Sequence, residues 1–448
     1  MAPITLFFGA NSSGKSSIGQ FLMLLKQTVE SQDRKAVLYP GGKNSAVQLG
    51  SFQEMIFGRK TENPIEFNYR WTLPSELTFS DPLIDKNYTA DAISFNCTIS
   101  LADPATPVPS VRKLAYDLFA GQHSVLSIEM QQKADRADRY QTAANNYALV
   151  RNPGRGWSPG APVRFYGFPD EVVAYHQNAD FVQAINFTHE KLFRSLAYLG
   201  PMRTKTERLY SWTGTEPESV GNIGENTIPA MLAAKNRMLN IGRYGRKKPF
   251  EQIIAKKLQE MGLIESFQVK PISKNRQDYE VKVKTKGSIG LVDLPDVGFG
   301  ISQVLPVLVE CFYAPANSII LMEQPEIHLH PRAQSFLADV MIDVINARED
   351  GKDRNIQLIV ETHSEHFLRR LQRRIAEDVV SKDRVAAYFA DVSKTPAQLE
   401  ELQIDESGNI LNWPEHFFGD EMEDVTAQSK AAIQKRIQNG VGNTGASE

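Results

Sequence analysis

The sequence predicts an α/β fold, a mixed sheet flanked by helices, and three segments of its 448 residues carry that prediction. The first is residues 4–8, Ile-Thr-Leu-Phe-Phe, a β-prone apolar run that feeds a glycine-framed turn. Ile18, Phe21, Leu22 and Leu25 then recur at helical spacing. The second is residues 317–322, an apolar strand that runs into Glu323. The third is residues 356–360, an apolar strand that runs into Glu361-Thr362-His363-Ser364. A helix over 332–346 separates the last two. Strand, helix and strand with acids and a histidine at the strand ends is the α/β pattern, and ligands of such sheets sit at the carboxyl ends of the strands.

The turn after the first strand reads Gly9-Ala10-Asn11-Ser12-Ser13-Gly14-Lys15-Ser16-Ser17 and fits G-x-x-x-x-G-K-[ST]. Gly9 and Gly14 open backbone conformations closed to residues with a Cβ, so successive N–H groups from Asn11, Ser12, Ser13 and Gly14 can converge on phosphate oxygens. The helix that starts near Lys15 adds the positive end of its dipole. Lys15 supplies a charge for the β- and γ-phosphates, and the hydroxyls of Ser16 and Ser17 follow, Ser16 as a ligand for Mg²⁺. A chance match in a chain this long is on the order of one or two in a hundred. The predicted cofactors are ATP and Mg²⁺.

Composition bounds the rest. Hydrophobic residues make up 42% and charged residues 23%, which describes a globular chain with a sizeable core. Fifty basic residues face 53 acidic ones, so no global basic field points to nucleic acid, and any such contact is a local patch. Cys97 and Cys311 are too few for a disulfide framework and form no zinc pair, so both are expected as buried thiols. No run approaches eighteen apolar residues, and the expected location is cytoplasmic, without a membrane.

Between about 61 and 115, alternating segments such as 65–71 and 92–100 read as strands of a meander. Residues 131–146 are polar and helix-prone, and 152–160 form a loop by composition. Residues 180–199 read as an amphipathic helix stopped by Gly200-Pro201. Helices follow at about 227–239 and 249–262, with hairpin strands at about 266–272 and 278–285. Residues 298–303, Gly-Phe-Gly-Ile-Ser-Gln, lead into an apolar helix over 304–312, and glycines at a helix start expose N–H groups to an anion. Glu323 is placed to hold Mg²⁺ directly or through water, and His363 to meet the γ-phosphate.

These motifs, in this order, resemble the ABC-type ATPases of the OLD, RecF and SMC group. Leu199-Gly200-Pro201-x-Arg203, Val220-Gly221-x-x-Gly224-Glu225, residues 323–331 and Trp413-Pro414-Glu415-His416-Phe417-Phe418 narrow the resemblance. They look like OLD-related ATPases that include the ATPase subunits of Septu-like phage defence. The resemblance implies an ABC-type ATPase head whose residues 9–17 match Walker A, Glu323 the Walker B acid and His363 the switch histidine. Gly298, Gly300 and Ser302 match the signature loop, with either Gly298 or Ser302 in the place of its usual serine. One copy of each implies a head-to-head homodimer or higher oligomer held by ATP. It further implies a separate effector protein, a nuclease, in antiphage defence. The implied division is 1–60 and 196–392 for the two halves of the head, 61–195 for an inserted lobe and 393–448 for an extension.

The chain departs from the group at Gln324, where the second Walker B residue is usually a glutamate. An amide cannot accept a proton but can orient water, so slow hydrolysis is expected, with Glu326 available as the working carboxylate. The candidate catalytic residues are therefore Gln324, Glu326 and His363. Gln48 is a candidate Q-loop residue. The acidic metal ligands of a Toprim nuclease are not expected after His363. Arg369, Arg370, Arg373 and Arg374 on a helix, and Arg243, Arg246, Lys247 and Lys248, are basic clusters that can serve either as solvated faces or as grips for nucleic acid. His328-x-His330 lacks a third metal ligand in sequence. Residues 420–424 and 440–448 read as solvated and flexible.

Overall fold

The computed structural model describes residues 1–103, 106–136, 138–154, 158–242, 245–273, 276–414, 417 and 426–435. The chain divides into two compact units. The first comprises Met1–Lys15, Pro201–Ala314 and Met322–Glu448, and the second Ser16–Gly200 with Pro315–Leu321.

The first unit is built on strand Ile4–Gly9, whose residues 4–8 are all buried and so read as a continuous apolar run rather than an alternating one. It pairs in parallel with Gln357–Glu361 on one side and Val385–Asp391 on the other. Gln398–Glu401 adds antiparallel to the outside of Val385–Asp391. Met322 and Glu323, which end strand Ile319–Glu323, lie next to Gln357–Glu361 in the sheet order. Helix Pro331–Ile345 packs on Ile4–Gly9 and Gln357–Glu361 and docks against helix Glu365–Ala376. Helix Phe299–Tyr313 is buried along its whole length from Ile301. Phe417 of the C-terminal motif sets its ring 5.4 Å from Phe8 and 5.1 Å from Phe389, covering two strands of the sheet. Glu415, His416 and Phe418, like residues 420–424 and 440–448, lie outside the described residues.

Two smaller sheets complete this unit. Lys248–Pro249, Met238–Ile241, Ala347–Glu349 and Lys352–Asp353 form one, and Tyr210–Ser211, Asp278–Lys284, Ser266–Pro271 and Val292–Asp293 the other. The predicted hairpin is thus present, as strands Ser266–Pro271 and Asp278–Lys284. The helix expected over 227–239 is shorter: it ends at Ala233, a 3₁₀ turn covers Ala234–Asn236, and Met238–Ile241 is a strand.

The second unit contains an antiparallel five-stranded meander, Ile65–Asp81, Lys86–Asp103, Thr106–Ala120, His123–Gln132 and Tyr140–Asn145. Its apolar face and helix Phe181–Arg194 enclose one aromatic core of Phe95, Tyr116, Phe165, Tyr166, Phe181 and Phe193. Two expectations fail here. Residues 131–146 are not helical: Tyr140–Asn145 is an edge strand paired to residues 127–132, anchored by buried Tyr140, whose hydroxyl donates to Val111 O at 2.7 Å. Cross-strand pairing overrides the helix propensity of that stretch. The helix over 180–199 stops at Arg194, and Leu196–Leu199 is a buried strand, with Ile319 N–H donating to Ser195 O at 2.9 Å. Cys97 and Cys311 are buried free thiols, as expected.

Candidate functional site

The phosphate loop has the conformation its glycines predict. Gly9 stands at φ +144° and Gly14 at φ +89°, with Ser12 between them at φ +62°. A Cβ on Gly9 would lie 2.9 Å from Ser13 Oγ and 3.0 Å from Ala390 O, so the close approach of strand Val385–Asp391 also demands glycine here. Lys15 is buried, and its Nζ donates to Gly9 O at 3.1 Å and Ala10 O at 2.7 Å. Ser13 Oγ is buried in the same loop without a hydrogen-bond partner. Curved backbone, a folded-back ammonium and an unsatisfied buried hydroxyl fit a phosphate group, which brings oxygens for all three. Helix Lys15–Glu30 begins at the lysine, so Ser16 and Ser17 occupy its first turn.

The ends of strands Gln357–Glu361 and Val385–Asp391 flank the end of Ile4–Gly9, where that loop begins, within the first unit. The register pairs Phe7 with Glu361, and Thr362 N–H donates to Phe7 O at 3.1 Å. Burial lowers the Lys15 ammonium from its ordinary pKa, and the negative charge of Glu361 opposes that shift. Burial also lowers His363, and the charge of Lys15 lowers it further, which favours the neutral imidazole beside the loop. Lys15, Glu361 and His363 therefore share one electrostatic environment. Glu323 ends its strand half-buried, and Arg203 Nη2 reaches its carbonyl at 3.5 Å. Mg²⁺ takes one or two protein oxygens beside phosphate and water oxygens, so a single strand-end carboxylate fits it; no cluster of three candidate ligands occurs among the described residues.

The turn after Glu323 is strained and heavily bonded. Gln324 has φ +46°, and its N–H donates to Glu361 O at 2.8 Å. Glu326 is buried, and its Oε1 accepts from Thr362 Oγ1 at 2.7 Å and from His363 N at 2.8 Å. Burial raises its pKa above the usual glutamate value, and those two hydrogen bonds oppose the rise. His328 sets its ring edge-on to Phe299 at 5.0 Å, and His330 caps helix Pro331–Ile345 by accepting from Arg332 N. The His328-x-His330 pair thus serves two separate contacts.

The helix expected over 304–312 starts five residues earlier, at Phe299, with Gly298 as its N-cap. Gly300 and Ser302 lie in its first turn; Ser302 Oγ donates to Phe299 O at 2.6 Å, and Phe299 itself is exposed. The Val220–Glu225 segment lies against this helix: Val220 N–H donates to Glu310 Oε2 at 2.8 Å, and Gly224 packs under Pro306. A cavity of about 260 Å³ borders the same helix at Ser302, Leu305 and Pro306 and is completed by Thr204, Tyr210 and Thr227.

The basic clusters are largely engaged. Arg370 and Arg374 turn to Asp339, at 3.7 and 2.6 Å, while Arg369 pairs with Glu365 and stacks over Trp413, and Arg373 pairs with Glu377. Lys247 reaches Asp350 at 3.5 Å, and Arg243 lies outside the described residues. Gln48 Nε2 donates to Lys43 O at 3.1 Å in the second unit. The residue that sequence reasoning missed is Glu361. Its signal was a second acid at a strand end, but only the parallel register with Ile4–Gly9 brings it to Lys15.

Comparisons with known proteins agree with this geometry in part. Residues 244–368 match the family model described as AAA ATPase domain, a stretch that includes helix Phe299–Tyr313, Glu323 and His363. Residues 380–428 match a model described as a protein of unknown function, DUF3696. No curated protein sequence matches the chain. Solved structures with some likeness include an Smc head bound to the C-winged helix domain of ScpA, at 10% identity, 91% coverage of both chains and a TM-score of 0.37. The SMC head domain from Thermotoga maritima follows at 8% identity, 90% coverage of both chains and 0.33. An Smc head with an extended coiled coil, bound to the C-terminal domain of ScpA from Pyrococcus furiosus, has 9% identity, 90% coverage of both and 0.33. Likeness this loose adds nothing to the reading of the site. The match of residues 244–368 to an ATPase domain model and the phosphate-loop sequence at residues 9–17 together support a P-loop ATPase.

Proposed function

We propose that the chain is an ABC-type ATPase that binds ATP·Mg²⁺, hydrolyses it slowly and works as a pair of heads. The shared environment of Lys15, Glu361 and His363 carries this reading, because it gathers a phosphate-binding cation and a neutral histidine at one place. Lys15 and the N–H groups of residues 11–14 hold the phosphates, while Ser16 and Glu323 supply oxygens for Mg²⁺. His363 meets the γ-phosphate. Gln324 orients the attacking water, which it cannot deprotonate.

The signature residues Gly298, Gly300 and Ser302 act on the nucleotide of a second chain, which closes a head-to-head dimer. The exposure of Phe299 at the start of that helix supports a partner surface there. Residues 61–195 form a lobe inserted into the head. The resemblance to OLD-related and Septu-type ATPases makes a separate effector nuclease in antiphage defence the favoured partner. Direct DNA clamping has less support, because the Arg369–Arg374 stretch is tied up by acidic partners.

The test is mass by light scattering with and without ATP·Mg²⁺, beside phosphate release, for wild type and Lys15→Ala. Assembly and release in wild type that both disappear in Lys15→Ala are expected. ATP-independent mass together with no phosphate release would overturn the reading.

A further inference from the structure

We propose that Glu326 is a positioning residue for the switch histidine: it holds the backbone of His363 and so fixes where the imidazole stands. This rests on the ATPase reading above and deepens it.

Glu326 is 6% exposed, on the tight turn that follows Glu323. Its Oε1 takes two donors at once, the Thr362 hydroxyl at 2.7 Å and the His363 N–H at 2.8 Å. Its Oε2 is buried without a hydrogen-bond partner. A general base must reach the proton it removes, directly or through one water. Here one oxygen is committed to the histidine's own main chain and the other is sealed from solvent.

The surrounding bonds extend the same function. Thr362 Oγ1 accepts from Ser364 N at 3.0 Å, and Ser364 Oγ donates to Gln334 Oε1 at 2.6 Å while capping Phe367 N at 3.1 Å. Gln334 Nε2 donates back to Leu329 O at 3.0 Å, and Leu329 N–H donates to Glu326 O at 3.1 Å. The loop over 324–330 and the segment 362–364 are thus stitched into one closed ring of hydrogen bonds, with Glu326 as the member that grips His363. Hydrogen bonds to an ionised acceptor are roughly twice as strong as neutral ones, which suits a carboxylate to this task.

The role separates from base catalysis by one comparison. Glutamine keeps the acceptor oxygen but removes the base, whereas alanine removes both. Phosphate release and nucleotide binding are measured for wild type, Glu326→Gln, Glu326→Ala and Thr362→Val, with Lys15→Ala as the inactive reference and melting curves to certify folding. Glu326→Gln is expected to lose only a few-fold in kcat. Glu326→Ala is expected to lose roughly 10²-fold, the cost of about 1 Å of misplacement, with ATP binding nearly retained. Thr362→Val falls between them, because the His363 N–H contact survives. A loss in Glu326→Gln as deep as in Glu326→Ala makes Glu326 the proton acceptor and overturns the proposal, as does wild-type kcat in Glu326→Ala. If wild type itself shows no turnover, the ATPase reading fails separately. Histidine-labelled NMR then decides this proposal: the His363 imidazole resonance, assigned with His363→Gln, moves in Glu326→Ala and stays in Glu326→Gln. An unmoved resonance in Glu326→Ala overturns it. If Glu326→Ala does not fold, Thr362→Val against Glu326→Gln gives the same decision, with Gln expected to lose less than Val.

Discussion

Glu310, 1% exposed in the last turn of the apolar helix Phe299–Tyr313, accepts a single hydrogen bond from the backbone N–H of Val220 at 2.8 Å. Burial pushes its pKa up to about 7 from 4.5, with that bond opposing. Below pH 4.5 both folded and unfolded chains hold the proton. As pH rises from there to about 7, the unfolded chain releases a proton that the folded chain keeps, so stability falls across that window and then levels. Glu310→Gln keeps an acceptor for Val220 and removes the titration. It should melt higher than wild type at pH 8, by on the order of 2–3 kcal/mol, and the gain should vanish near pH 4.5. Melting curves across pH check this.

Gly224 has φ +81°, and a Cβ there would stand 2.8 Å from two carbons of Pro306. Gly224→Ala therefore combines a left-handed alanine with a clash against a proline that cannot rotate away. The expected loss is roughly 2–4 kcal/mol. Gly214→Ala is the control, because its φ is +91° and nothing lies within 4 Å of the added carbon. It should lose about 1 kcal/mol, from backbone strain alone. Denaturant midpoints of the two variants give the comparison.

Restoring a carboxylate beside Glu323 should release the hydrolytic step. Gln324→Glu is expected to raise kcat at least tenfold, the low end of what a positioned general base supplies or less. An unchanged rate of phosphate release would move the limiting step away from water activation.

In the second unit, His189 is fully buried, with Nε2 2.7 Å from Tyr69 Oη and Nδ1 2.5 Å from Tyr116 Oη. Burial lowers its pKa well below 6.5. The unfolded chain takes up a proton as pH falls through 6.5 and the folded chain does not, so this unit loses stability on acidification. Hydrogen exchange of helix Phe181–Arg194, corrected for the intrinsic pH effect, should quicken between pH 7 and pH 5. His189→Gln should flatten that dependence.

Local chemistry was the readable part of the sequence. The loop over 9–17 and the strands ending at Glu323 and Glu361 declare themselves through apolar runs and glycine spacing, and each forms where the pattern put it. Pairing was not readable. Residues 140–145 look helical alone and become a strand only because residues 127–132 lie alongside them. Glu361 looks like one acid among many until parallel register sets it opposite Phe7. Glu326 presents itself as a spare base, and only its burial and its two donors reveal what it holds.

The stretch from Gln324 to His330 also limits how this protein can change through evolution. Within seven residues it grips His363 through Glu326, touches Phe299 through His328 and caps a helix through His330. Most surface loops tolerate insertions and deletions. One residue added or lost here would move at least two of those three contacts out of reach. Descendants of this sequence can exchange side chains along the stretch, but its length is not free to drift.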